Sequence, residues 1–144
     1  MRALAIGVVV SALLVSGCSS GREAGEAVDQ GPTPAPQAAL KVSAREFEFD
    51  QPVWAVPARR SFSVRFTNRG TIPHEWAVLK RGITLHEQRS LREEMVLFEV
   101  EALPEGETHT QRFTLREPGR YQVVCALEGH FDAGMTASLA VVRS

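Results

Sequence analysis

Apolar residues recur at every second position in short runs along the chain, and turn-forming residues close most of those runs. Phe62, Val64 and Phe66 alternate with Ser63, Arg65 and Thr67, and Asn68-Arg69-Gly70 follows. His74, Trp76 and Val78 alternate again, then Phe113 and Leu115 lead into Glu117-Pro118-Gly119. Tyr121, Val123 and Cys125 come next, and Ala137, Leu139 and Val141 close the pattern. A period of two sends successive side chains to opposite faces of a strand. Many short strands separated by turns predict an all-β domain, a sandwich or barrel of mixed pairing. Leu40, Val42 and Ala44 share one parity while Phe47 and Phe49 share the other, which predicts a β-bulge near Arg45 and Glu46.

One segment breaks the rhythm. Thr84-Leu85-His86-Glu87 fits a capping box, and Leu91 and Met95 lie four apart. This spacing predicts one short helical insertion over about 85–95, with a return to strand at Val96–Val100.

The strands occupy only residues 40–144. The chain begins MRALAIGVVVSALLVSGCSS, with one arginine, an apolar run from Ala3 to Val15, and small residues. That order is expected of a secretory signal peptide over residues 1–17. The apolar run is shorter than the ~20 residues of a spanning helix. Val15-Ser16-Gly17-Cys18 resembles the bacterial lipobox, which implies a lipidated Cys18 as the first mature residue. Several acyl chains hold a protein on a membrane without a spanning helix. Residues 19–39 are rich in Gly, Pro, Ala and charge, with Val28 the sole large aliphatic. Together with Cys18 they are expected to form a flexible tether over 18–39. The implied product is exported and anchored in the cell envelope, on the extracytoplasmic side of a membrane.

Residues 40–144 carry fourteen basic and fourteen acidic side chains. Such a balance gives no basic footprint for nucleic acid. No Gly-rich phosphate loop or internal repeat is present, and no small-molecule substrate or catalytic group is indicated, so an enzyme is not expected. If Cys18 is lipidated, Cys125 is the one remaining thiol of an exported domain. It then needs a reason: burial, reactivity, an intermolecular bridge or a metal.

The stretch CALEGHFDAGM, residues 125–135, holds Cys125, His130 and Met135, with four residues between successive donors. Strand parity turns Cys125, Met135 and His74 inward at strand ends, so they could meet at one end of a sandwich. Each has a plainer reading. Cys125 could be a buried core thiol, Met135 a gap-filler, His74 a turn residue after Pro73, and His130 a solvated loop residue. Their joint placement favours a metal. A Cys with two His is also a possible zinc set, but a thioether in fourth position suits copper better. His86 and His109 read as surface histidines, with His86 the alternative first ligand.

These residues resemble the cupredoxin, or blue copper, family, which includes plastocyanin, azurin, rusticyanin and sulfocyanin. The resemblance lies in Asn68-Arg69-Gly70-Thr71-Ile72-Pro73-His74, in Pro118 through Cys125, and in His130 and Gly134-Met135 before an apolar closing strand. It implies a Greek-key β-sandwich and one mononuclear type 1 copper held by His74, Cys125, His130 and Met135. Glu75 stands where the family often has an asparagine that ties the ligand loop. The resemblance also implies a one-electron carrier that meets redox protein partners briefly. Leu127, Phe131 and Ala133 around His130 would form the docking patch, although Phe131 could equally pack inside. The alternative function is copper delivery, storage or resistance with the same ligands. A third possibility is an interaction module with no working metal site.

Overall fold

The computed structural model describes residues 32–143. Two sheets face each other. The first contains β1 (Ala39–Arg45), β2 (Glu48–Phe49), β4 (Ser61–Asn68) and β7 (Thr108–Thr114), in the order β2-β1-β4-β7. The second contains β3 (Val53–Pro57), β5 (His74–Leu79), β6 (Val96–Leu103), β8 (Gly119–Val124) and β9 (Thr136–Val142), in the order β3-β9-β8-β5-β6. Pairing is mixed, with β1–β4 and β3–β9 parallel and the remainder antiparallel. This is the all-β sandwich that the alternation predicts.

The alternating residues fill the space between the sheets. Leu40, Val42, Phe62, Val64, Phe66, Trp76, Val78, Tyr121, Val123, Leu139 and Val141 belong to one buried cluster. Phe98 and Phe113 stack at 4.0 Å between ring centres and close the open side, where β6 and β7 are sheet edges. Burying aliphatic and aromatic side chains of this size stabilises by about 1.5–3 kcal/mol each, so this cluster is the main source of rigidity beneath the site.

Three local features depart from the reading of the sequence. The parity change after Ala44 is a hairpin, not a bulge. Arg45 pairs with Glu48 and Ala44 with Phe49, so the chain reverses at Glu46-Phe47. Phe47 takes a positive φ of 62° there. Second, β3 has no counterpart in the alternation. Val53, Trp54, Ala55 and Val56 are all buried, because both faces of this strand are covered. A strand with two dry faces reads as a continuous apolar run.

Third, residues 85–95 form no helix of the expected length. Two 3₁₀ turns, Gln88–Ser90 and Glu93–Met95, interrupt an extended path. Tertiary partners take the backbone groups that a helix would use. Leu85 N–H donates to Gln122 Oε1 at 2.6 Å, and Gln122 Nε2 donates back to Leu85 O at 3.2 Å. Glu87 engages Arg89 and Ser90 instead of closing a capping box on Thr84. Leu91 and Met95 still share a side. With Ile83, Leu85 and Val96 they pack on Ala77, Leu79 and Val124, the outer face of β5 and β8. The insertion is therefore a cover for the second sheet.

Candidate metal centre

His74 begins β5, Cys125 directly follows β8, and Met135 directly precedes β9. Since β5, β8 and β9 are neighbours in one sheet, their ends meet at one pole. One ligand atom each from His74, Cys125 and His130 lies within 4.8 Å of the other two. Cys125 Sγ is 3.3 Å from His130 Nδ1, and the two imidazole centres are 5.1 Å apart. His74, Cys125 and Met135 are fully buried, and His130 keeps 8% of its surface exposed. His86 and His109 are exposed, as expected. Cys18 lies outside the described residues.

The ligand loop is closed by its own backbone. Cys125 N–H donates to Met135 O at 3.2 Å, which zips the base of the loop. Inside it, His130 N–H reaches Leu127 O at 3.1 Å, and Met135 N–H reaches His130 O at 3.0 Å. Glu75 Oε1 accepts from Ala126 N–H at 2.8 Å. Glu75 thus ties β5 to the ligand loop, the task expected of the asparagine it replaces. Burial raises its carboxyl above the usual range, while the Ala126 N–H offsets part of that cost.

His74 is placed by groups from farther away. Asn68 is fully buried, and its side chain satisfies three backbone groups. Nδ2 donates to Ile72 O at 2.7 Å and to Leu103 O at 2.8 Å, and Oδ1 accepts from Gly70 N–H at 2.8 Å. Glu46, at the β1–β2 turn, accepts from the N–H of Thr71 and, at 3.1 Å, from its hydroxyl. The same carboxylate lies 3.9 Å from His74 Nε2. Gly70 is required by space: a Cβ there would overlap the Glu46 carboxylate and lie 2.9 Å from His74 Nε2. The sequence marks 68–70 as a turn, but only the fold shows Asn68 as a buried anchor and Glu46 as a neighbour of the site.

The electrostatics fit a soft cation. Burial lowers the affinity of both His74 and His130 for a proton, with the neighbouring imidazole adding to the effect at His74. Both rings are thus neutral donors at neutral pH. Both nitrogens of His74 are buried without a hydrogen-bond partner. Such orphaned groups cost roughly 1–3 kcal/mol each unless something satisfies them. Burial also pushes the Cys125 thiol up to about 11, and the cysteine is unbridged. A thiol in that state ionises when a metal takes the proton's place. Two neutral imidazoles, a latent thiolate and a buried thioether make a donor set suited to copper.

The expected docking residues separate. Leu127 is partly buried against the main core, Phe131 is half-buried against the outer cluster of Ala77, Leu79, Leu85 and Val124, and Ala133 is exposed. A residue absent from that expectation lies against His130, which keeps a small exposed surface. Phe47 is 41% exposed, and its ring meets His130 edge-on at 5.2 Å.

A two-sheet sandwich carrying a buried Cys, two His and a Met at one pole defines a blue copper protein. Residues 36–142 match the copper binding proteins of the plastocyanin/azurin family, and the chain belongs to that family. Copper is accordingly its cofactor. Among solved structures, dithionite-reduced auracyanin from the photosynthetic bacterium Roseiflexus castenholzii is similar. It has a TM-score of 0.65 and 19% identity over 75% of this chain and 99% of its own. Auracyanin B gives 0.63 and 21%, covering 77% and 93%. Rusticyanin from Thiobacillus ferrooxidans gives 0.57 and 16%, covering 78% and 86%. A search of curated proteins finds no match to the sequence.

Proposed function

We propose that this chain is a lipid-tethered one-electron carrier of the cell envelope, with no enzymatic activity of its own. His74, Cys125 and His130 would hold the copper, with the Met135 thioether as a fourth, soft donor. Bound copper supplies a one-electron couple between Cu(I) and Cu(II). The chain supplies a donor set between the preferences of the two oxidation states, and strands that hold it there. Lipidated Cys18 and the residues from 19 to about 31 would let the domain reach partners away from the membrane, to roughly 45 Å when extended. From Thr33 on, the chain is bonded to the domain, as Gln37 N–H donates to Ala55 O at 2.8 Å and Arg120 donates to Thr33 Oγ1 at 3.0 Å.

The observation that carries this reading is the convergence of three buried donors within 4.8 Å, with both His74 nitrogens lacking a hydrogen-bond partner. Burial also weighs against the alternative of copper delivery, which needs an open approach for an accepting ligand. Only His130 reaches the surface, beside Phe47. We propose the contact for transient redox partners there, centred on Phe47 and the exposed edge of His130. A small, mostly apolar contact suits a brief encounter.

The test is visible absorption on adding Cu(II) to the purified chain. An intense blue or green thiolate band with reversible one-electron exchange is expected. A colourless complex would overturn the site, and rapid copper transfer to an apo acceptor would favour delivery instead.

A further inference from the structure

Gln88 lies in the first 3₁₀ turn of the β5–β6 insertion, far in sequence from every proposed ligand. Its Nε2 donates to Ala126 O at 2.9 Å, and its Oε1 accepts from Phe131 N–H at 2.9 Å. Its backbone N–H donates to Asp132 Oδ1 at 2.8 Å. These contacts span 38, 43 and 44 residues along the chain.

The two backbone groups held by the side chain are not arbitrary. Ala126 directly follows Cys125, and Phe131 directly follows His130. One planar amide therefore bridges the peptides next to the two ligands whose donor atoms are 3.3 Å apart. The internal bonds of the loop run from His130 to Leu127, Ala133 to Gly129, Gly134 to Phe131 O and Met135 to His130. None of these joins residue 126 to residue 131. Gln88 supplies that link through the acceptor and the donor of one amide. Ala126 is then gripped on both sides, its N–H by Glu75 and its carbonyl by Gln88.

We infer that Gln88 is a positioning residue of the copper site. It fixes the span from Ala126 to Phe131, and through it the Cys125–His130 spacing, whether or not the ion is bound. The inference rests on the copper reading for its spectroscopic consequence, but the clamp itself is made entirely of the chain's own groups. A rigid span limits how far the donors can relax when the charge at the site changes. The insertion is thus joined to the site as well as covering the sheet.

Three variants of the full chain test this. Gln88→Leu removes both side-chain bonds. Gln88→Glu keeps an acceptor for Phe131 N–H and loses the donor to Ala126 O. Gln122→Leu frees the same insertion at Leu85, and its other side-chain contact, to Thr136 Oγ1 at 3.4 Å, lies just beyond the ligand loop. In the copper-free chain, Gln88→Leu should speed hydrogen exchange at the Phe131 amide by about tenfold, the size that one net hydrogen bond allows. Gln88→Glu should leave that amide protected. In the copper-loaded chain, Gln88→Leu should shift or broaden the thiolate band and hasten copper loss to a chelator. Gln88→Glu should fall between it and the parent. Gln122→Leu should lower unfolding stability while sparing the band and the rate of loss.

The inference is overturned if Gln88→Leu keeps the parent exchange rate at Phe131. It also fails if Gln122→Leu perturbs the band as much as Gln88→Leu does, since that would make the role merely structural. A parent chain with no thiolate band would instead defeat the copper reading, with the exchange result at Phe131 standing apart from it.

Discussion

Cys125, His130 and Met135 share one loop whose backbone closes on itself, whereas His74 stands at a strand end and depends on several distant segments. On the first side, Cys125 N–H to Met135 O sets the base of the loop, and turns at Gly129 and Gly134, both with positive φ, set its course. On the second side, no hydrogen bond fixes the ring itself, and the turn before it is anchored from farther away. Asn68 ties the 68–72 turn to Leu103 at the end of β6, and Glu46 grips Thr71 from the β1–β2 hairpin. A site assembled in this way has one half closed by its own backbone and then clamped by Glu75 and Gln88, and the other held mainly by neighbours in space. Mutations in the two halves should therefore fail differently.

The largest effect is expected at the closed loop. Cys125→Ser should abolish the visible thiolate band entirely, because the alcohol does not ionise in its place, and absorption of the copper-loaded protein checks it. His74→Ala should also remove the band, while leaving the loop bonds between residues 125 and 135 intact. Amide exchange over those residues would show whether the two halves are as separable as their hydrogen bonds indicate.

Next in size is the buried anchor. Asn68→Ala leaves two carbonyls and one N–H without their partner in the interior. At roughly 1–3 kcal/mol for each buried group left unsatisfied, with partial relaxation, a loss of about 2–4 kcal/mol is expected. Denaturant unfolding of the copper-free chain measures it. A near-silent Asn68→Ala would mean that the upstream half is not held from within.

Glu46→Gln should act more weakly and only in a defined pH range. The Thr71 N–H, first among its contacts, lowers the Glu46 carboxyl from 4.5 to about 2. A carboxylate held lower in the folded state stabilises it above the ordinary value and ceases to do so as pH falls through the lowered one. The parent should therefore be more stable than Glu46→Gln at neutral pH, and the difference should close between about 4.5 and 2. Unfolding midpoints measured across that range decide it. The smallest effect is expected from His86→Ala, which should leave the band unchanged, since His86 is exposed on the insertion. Loss of colour in that variant would move the first ligand from β5 to the insertion.

The parts that could be read from the chain follow the same division. Leu40, Phe62, Trp76, Val123 and Leu139 announce their strands because each alternates between a dry and a wet face. β3 escapes that pattern because Trp54 and Ala55 are both buried, on opposite faces. The helix expected at 85–95 fails for a related reason. Its apolar spacing is genuine, as Leu91 and Met95 pack together on one cluster, but Gln122 captures the backbone of Leu85 from another strand. Local propensity is a weak preference, and a few specific tertiary bonds override it. Phe47 was legible only as a parity shift, since its contact with His130 requires the hairpin to fold over the pole.

By itself, then, the sequence determined the chemistry: two imidazoles, one thiol and one thioether, in an order and strand phase that turn them inward. It also determined the family, through residues that match over most of the domain. Only the tertiary structure decided what holds those donors still. Asn68 reaching Leu103, Glu46 reaching Thr71 and Gln88 reaching Phe131 are contacts across 35, 25 and 43 residues. Hydrogen bonds over such separations leave no periodicity in the chain, because their partners become neighbours only after the sheets have packed.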